Sequence, residues 1–206
     1  MTIAMRRPRM TREEFFSWAQ AQAQDARYEF DGSEPVAMTG GTVDHNQISQ
    51  NIQFALRTRL RGSTCRPLGP DAGVATVGDT VRYPDALVTC AKVAGTAHLV
   101  PGVVVVFEVL SPSSGRTDRI EKVREYRAVP SIRRYVILEC TSIGLTVFER
   151  RDAADGWTAS TLTEDDVLRM EEIGIEVPVA ELYLDVELLG TDGQNSTAGD
   201  NDAPRP

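Results

Sequence analysis

The stretch 103-VVVVFEVLSPSSGRTDRIEKVREY-126 contains a carboxylate where a buried strand would not ordinarily hold one. Glu108 sits in a run of β-branched and aromatic residues, the pattern of a strand covered on both faces. A carboxylate in an apolar layer is costly unless a cation or hydrogen-bond donors meet it there. Asp85, twenty-three residues upstream, follows Pro84 in a second apolar segment, 81-VRYPDALVT-89, where Tyr83, Asp85 and Leu87 share a face if the segment is extended. Carboxylates at the ends of neighbouring strands repel each other, and a divalent cation turns that repulsion into a binding site. Mg²⁺ prefers oxygen ligands and keeps several waters, so one or two carboxylates and a phosphate suffice for it. Downstream, Asp118, Lys122 and Tyr126 recur every four residues and so line one helical face. A helix packed beside the strand it follows can aim Lys122 back at Glu108. Each residue also has a plainer role: Glu108 as a paired acid, Asp85 as a turn residue, Lys122 as the surface partner of Asp118, Asp118 as an N-cap and Tyr126 as packing.

These residues need elements to position them. Thr11 and Glu14 are spaced as a capping box for a short helix over 11–22. The segment 27-RYEFDGSEPVAM-38 predicts a hairpin with Asp31-Gly32 in its turn. A longer helix follows over roughly 45–60, with Asp44 as its cap and Ile48, Ile52, Ala55, Leu56 and Leu60 as its apolar stripe. Short strands fill 64–89. In a strand over 103–110, Val104, Val106, Glu108 and Leu110 share a face. Glu108 then lies near the strand end, where α/β sheets tend to bind ligands. Residues 111–115 form a tight turn, and Asp118 with Glu121 reads as a second capping box for a helix over 117–128. Strands follow at 134–139, 144–150 and 157–162, and a short element at 177–183 closes the domain. The expected architecture is α/β: a mixed β-sheet flanked by helices, with an added N-terminal hairpin. Residues 1–10 read as a flexible basic arm, 11–189 as the domain, and 190–206 as a disordered acidic tail.

Charge does not exclude a polyanionic partner. The net charge is −8, but residues 164–206 hold 12 acids and 2 bases, leaving 18 acids and 20 bases in the rest. Cys65, Cys90 and Cys140 are odd in number and far apart, which predicts reduced thiols and a cytoplasmic setting. No segment has the length and apolarity of a membrane span, and the basic N-terminus lacks the apolar core of a secretory signal. The chain has no GxxxxGK[ST], strand-linked GxGxxG, HExxH or GxSxG pattern, and His45 and His98 are its only histidines.

Taken in order, the pieces Tyr28-Glu29-x-x-Gly32, His45, Tyr83-Pro84-Asp85, Glu108-Val109-Leu110-Ser111-Pro112-Ser113, Asp118-Arg119-x-x-Lys122-x-x-x-Tyr126 and Tyr135-Val136-Ile137 resemble the PD-(D/E)XK nuclease superfamily. Within it they are similar to the Uma-type restriction endonuclease group, over roughly residues 11–185. The resemblance implies that Asp85 and Glu108 are the two motif acids. Leu110 stands where the motif lysine is expected, and the family pattern of a lysine on the next helix points to Lys122. It further implies Mg²⁺ or Mn²⁺ held by Asp85, Glu108 and the Val109 backbone carbonyl. Glu29 would be an additional acid, and His45 would sit at a helix start that attracts phosphate; Asp118 and Tyr126 would be further site residues. The implied partner is DNA; a homodimer is expected because two-fold dimers are the commonest oligomers and cutting two strands suits a two-fold enzyme. The alternative is a catalytically inactive nuclease-fold module for DNA binding or assembly, for which Leu110 and the acidic C-terminal part speak.

Overall fold

The computed structural model describes residues 10–23, 26–110 and 117–188; the basic arm (apart from Met10), the turn at 111–115 and the tail lie outside them. Helix α1 (Arg12–Gln20) starts at Thr11, whose hydroxyl accepts the Glu14 N–H while Glu14 accepts the Thr11 N–H, so the capping box is present. Strands β1 (Tyr28–Phe30) and β2 (Pro35–Ala37) form the expected hairpin. The Asp31 carboxylate accepts the N–H groups of Ser33 and Glu34, both at 2.8 Å, and Gly32 adopts φ +86°, which favours glycine.

Helix α2 (Val43–Arg59) buries Ile48, Ile52, Ala55 and Leu56 as its stripe predicts. Its cap is Thr42, not Asp44: the Thr42 hydroxyl accepts the His45 N–H at 3.2 Å, and Asp44 falls in the first turn. Strands β3 (Arg66–Leu68), β4 (Val74–Ala75), β5 (Val81–Arg82) and β6 (Ala86–Thr89) follow. The segment 81–89 is therefore two strands rather than one, and they belong to different sheets. The break falls at Tyr83-Pro84-Asp85, because Pro84 has no N–H with which to continue a ladder.

β7 (Val103–Val109) is the central buried strand. The chain then turns through a widely wound helical segment, Thr117–Lys122, into α3 (Val123–Ala128). Next come β8 (Arg134–Leu138), β9 (Leu145–Glu149), β10 (Thr158–Leu162), β11 (Val167–Met170) and β12 (Ile175–Pro178). β11, which pairs with β12, has no counterpart in the sequence-based expectation.

Among the described residues the main sheet has six strands, in the order β10-β9-β8-β7-β6-β3. β7 and β8 are parallel and the other pairs antiparallel, so the sheet is mixed. A smaller sheet, β2-β1-β5-β4, carries the N-terminal hairpin. α2 covers one face of the main sheet over Val105, Phe107, Val109, Val136 and Leu138. α3 lies on the other, where Val123 and Tyr126 meet Leu87, Val106, Leu110, Tyr135 and Ile137. Alternation along β7 is interrupted once. Val88 pairs with Val105 but Thr89 pairs with Val103, so Val104 is the extra residue of a bulge. Val103 consequently joins the α3 face and Val104 packs on the α2 face, contrary to simple alternation with Glu108.

The thiols also differ from expectation. The register Arg66↔Thr89 places Cys65 opposite Cys90, and the two form a disulfide across β3 and β6; Cys140 is free. Their separation of 25 residues gives no local hint of this pairing, which arises when the two strands align.

Candidate active site

Glu108 is 4% exposed on the α3 face of β7. Its Oε1 accepts a hydrogen bond from Lys122 Nζ at 2.9 Å and another from the Tyr126 hydroxyl at 2.9 Å. The four-residue spacing places both donors on the helical face that meets the strand. Lys122 is buried, which excludes the solvent-facing role. Tyr126 is fully buried and packs on Tyr135 with ring centroids 4.9 Å apart, so it serves both packing and the carboxylate. Burial, and then the negative charge of Glu108, hold the Tyr126 phenol well above its ordinary pKa, so it remains an O–H donor.

Glu29 reaches the same amine from β1, with Oε1 3.3 Å from Lys122 Nζ. That oxygen also accepts the Tyr83 N–H at 3.2 Å, while Oε2 accepts from Arg82 Nη1 at 3.0 Å. Arg82 in turn grips Glu125 through Nε and Nη2, each at 2.7 Å. Burial opposes the charge of Arg82, but the hydrogen bonds and charges of Glu125 and Glu29 outweigh it and raise the guanidinium pKa further. Arg82 and Glu125 were not singled out in the sequence. Arg82 resembles an outward residue of a short strand and Glu125 a surface helix residue, and their pairing depends on β5 approaching α3.

Asp85 is positioned by the break between β5 and β6. Continuing the register Leu87↔Val106 and Ala86↔Phe107 sets Pro84 opposite Val109. Pro84 has no N–H to donate to the Val109 carbonyl, and the Val109 N–H is taken up by a side chain instead: Asp85 Oδ2 accepts it at 2.7 Å. Asp85 thus sits against the peptide that follows Glu108. Its Oδ1 lies 3.4 Å from His45 Nε2. His45 needs Gly41 beneath it, since a Cβ at Gly41 would fall 2.6 Å from His45 Nδ1. The structure therefore brings together Glu29, His45, Asp85, Glu108, Lys122 and Tyr126; the side chain of Asp118 lies outside the described residues.

Of the residues brought together, all but Tyr126 line a cavity of about 420 Å³, together with Met38, Thr39, Gly40, Gly41 and Val109. A larger cavity, about 740 Å³, lies toward the other end of the sheet, against Arg134, Glu149 and Glu172. It lacks Asp85, Glu108 and Lys122. Cys140 carries a thiol pushed up to about 11, by burial first and then by the charge of Asp85, which keeps it protonated and a poor nucleophile.

Among the described residues no cluster of three or more His, Cys, Asp or Glu forms a metal cage. The donors set together at the strand ends include the Asp85 and Glu108 carboxylates and the Val109 peptide. By type they fit a hard divalent cation that retains water, such as Mg²⁺ or Mn²⁺. They do not fit a structural zinc site.

The fold has the form of a restriction-endonuclease-like α/β protein. The chain belongs to the Uma2 family, described as "Putative restriction endonuclease", whose pattern matches residues 12–180. An uncharacterized protein of Synechocystis sp., slr1290, is 30% identical over 179 residues, covering 85% of this chain and 92% of that protein. The crystal structure of a "putative nuclease belonging to DUF820" from Anabaena variabilis superposes with a TM-score of 0.63. It covers 84% of this chain and 97% of its own, at 12% identity, and so shares the fold.

Proposed function

We infer that this protein is a metal-dependent endonuclease that hydrolyses phosphodiester bonds in DNA. The observation that carries this reading is the Lys122 amine, 2.9 Å from Glu108 and in the same cavity as Asp85. The amine missing at Leu110 is supplied from the following helix, while Leu110 packs in the core. Asp85, Glu108 and the Val109 carbonyl would hold Mg²⁺ or Mn²⁺, which when bound acidifies a water and offsets charge on the scissile phosphate. Lys122 places a positive charge beside the reacting oxygens, and Glu29 holds the other side of its amine. Tyr126 fixes the Glu108 carboxylate by hydrogen bonding. His45 limits the freedom of Asp85. Two strands to cut favour a homodimer, measurable by light scattering. No described helix is long and apolar enough to cross a membrane.

The test is cleavage of plasmid and branched DNA with Mg²⁺, Mn²⁺ or EDTA. Asp85→Ala, Glu108→Gln and Lys122→Met are each expected to lose about three orders of magnitude in rate while remaining folded. Cutting that persists in all three variants overturns the assignment. A second reading draws on Glu108 being satisfied by Lys122 and Tyr126 within the protein itself. An inactive DNA-binding module would show salt-sensitive DNA binding and no cation-dependent cutting.

A further inference from the structure

Arg82 borders the cavity of the proposed site and is almost entirely enclosed, with 4% of its side chain exposed. Its guanidinium grips both oxygens of Glu125, and its remaining nitrogen reaches Glu29 Oε2. Glu29 Oε1 faces Lys122 Nζ, and Lys122 Nζ donates to Glu108. Five charges thus alternate in sign, from Glu125 through Arg82, Glu29 and Lys122 to Glu108. They come from five elements: α3 supplies Glu125, the wide helical segment before it Lys122, β5 Arg82, β1 Glu29 and β7 Glu108.

The two cations in this chain are mechanically unlike. A guanidinium presents its donors in a rigid plane and holds a carboxylate in a fixed orientation. An ammonium is a point charge on a flexible stem, and its position is set by the acceptors around it. Glu29 is shared by both, one oxygen to each cation. The rigid cation can therefore locate the flexible one through a single carboxylate. Lys122, Glu125 and Tyr126 are spaced i, i+3 and i+4, so one helical face carries the amine, the anchor of Arg82 and the second donor to Glu108.

We propose that Arg82, backed by Glu125, is a positioning residue that fixes the Lys122 amine against Glu108 by clamping Glu29. Its catalytic purpose rests on the nuclease reading; the placement of the amine does not.

The sequence offers a clean probe. Lys92 and Lys122 are the only lysines among 22 basic residues. Lys92 is exposed and Lys122 buried. Reductive methylation with ¹³C-formaldehyde therefore gives two lysine signals besides the N-terminal amine, and Lys122 should lag well behind Lys92. Arg82→Met alone strands two carboxylates and can unfold the chain. The informative variant is Arg82→Met/Glu125→Gln, which removes one charge of each sign, with the fold checked by circular dichroism. In it, Lys122 methylation should accelerate by on the order of tenfold as the amine loses its fixed seat. With Mn²⁺ and DNA, kcat should fall about a hundredfold with KM within about twofold, as expected when a reacting group is misplaced. Arg82→Lys, which keeps the charge but loses the fork, should recover only part of the rate. Unchanged Lys122 labelling in the folded double variant overturns the inference. A wild-type protein that cuts with none of the cations overturns the nuclease reading instead, and the labelling result still decides whether Arg82 places the amine.

Discussion

Arg82 and Arg134 are both buried, and each is held by two glutamates. Arg134 opens β8, pairs across the ladder with Glu149 at the end of β9, and grips Glu172 in the turn after β11 through Nε at 2.6 Å and Nη2 at 3.1 Å. Burial opposes its charge too, and the Glu172 hydrogen bond and charge more than compensate. The difference lies in where the carboxylates lead. Glu29 passes its second oxygen to Lys122 and the strand-end acids, whereas Glu149 and Glu172 tie β8, β9 and the β11–β12 hairpin together. The proposed site thus differs from the Arg134 cluster in setting a second, smaller cation, Lys122, beyond the arginine–glutamate contacts.

The division can be broken most directly at Arg134. Arg134→Met should lower stability by about 3–5 kcal/mol in urea denaturation, because it leaves Glu172 buried and unpaired. Cleavage per folded molecule should stay within about threefold of wild type, as expected for a residue outside the reacting groups. A larger fall in the folded variant would mean that the two clusters are not separate in function.

A smaller effect concerns pH. The folded state holds the Tyr126 proton more tightly than the unfolded chain does. Stability is then fully present below about pH 10, the ordinary tyrosine value, and falls as pH rises beyond it, because the unfolded state releases its proton first. Tyr126→Phe should flatten part of that fall in urea midpoints compared at pH 9, 10 and 11. Part remains because burial raises Tyr183 in the same direction. Identical alkaline slopes for variant and wild type would contradict the coupling of Tyr126 to its surroundings.

The smallest expected effect lies within the Arg134 cluster. The Glu149 side chain is 41% exposed and that of Glu172 8%. Glu149→Gln should therefore cost under about 1 kcal/mol and matter less at high salt, as solvent-screened pairs do. Glu172→Gln should cost more and depend little on salt. Equal costs would mean that exposure does not grade these contacts.

Glu108, Asp85 and Lys122 were legible because each breaks or keeps a period: an acid inside an apolar strand, an acid after a proline, and a four-residue row on a helix. The mixed sheet between helices followed from the same periods. Arg82 and Glu125 were not legible, because neither departs from its local pattern and their contact is tertiary. One signal is present all the same: the whole chain has two lysines, and one of them aligns with the acid of the apolar strand. The Cys65–Cys90 bond and the Val104 bulge depend on strand register, which composition does not reveal. The Thr42 cap was missed because Asp44 is an equally good capping residue two positions on, and the end of the preceding loop decides between them.

The change of winding at Lys122 has a consequence for how this chain tolerates length variation. The wide turns of Thr117–Lys122 give way to an α-helix at Val123, so the junction sets the rotational phase between Lys122 and the pair Glu125 and Tyr126. Adding or deleting one residue between 122 and 125 would turn the rest of the helix by roughly 100° relative to the amine. The same change in an exposed loop would be absorbed locally. A one-residue indel there would leave every side chain of the site in the sequence and separate Lys122 from Glu125 and Tyr126 in space.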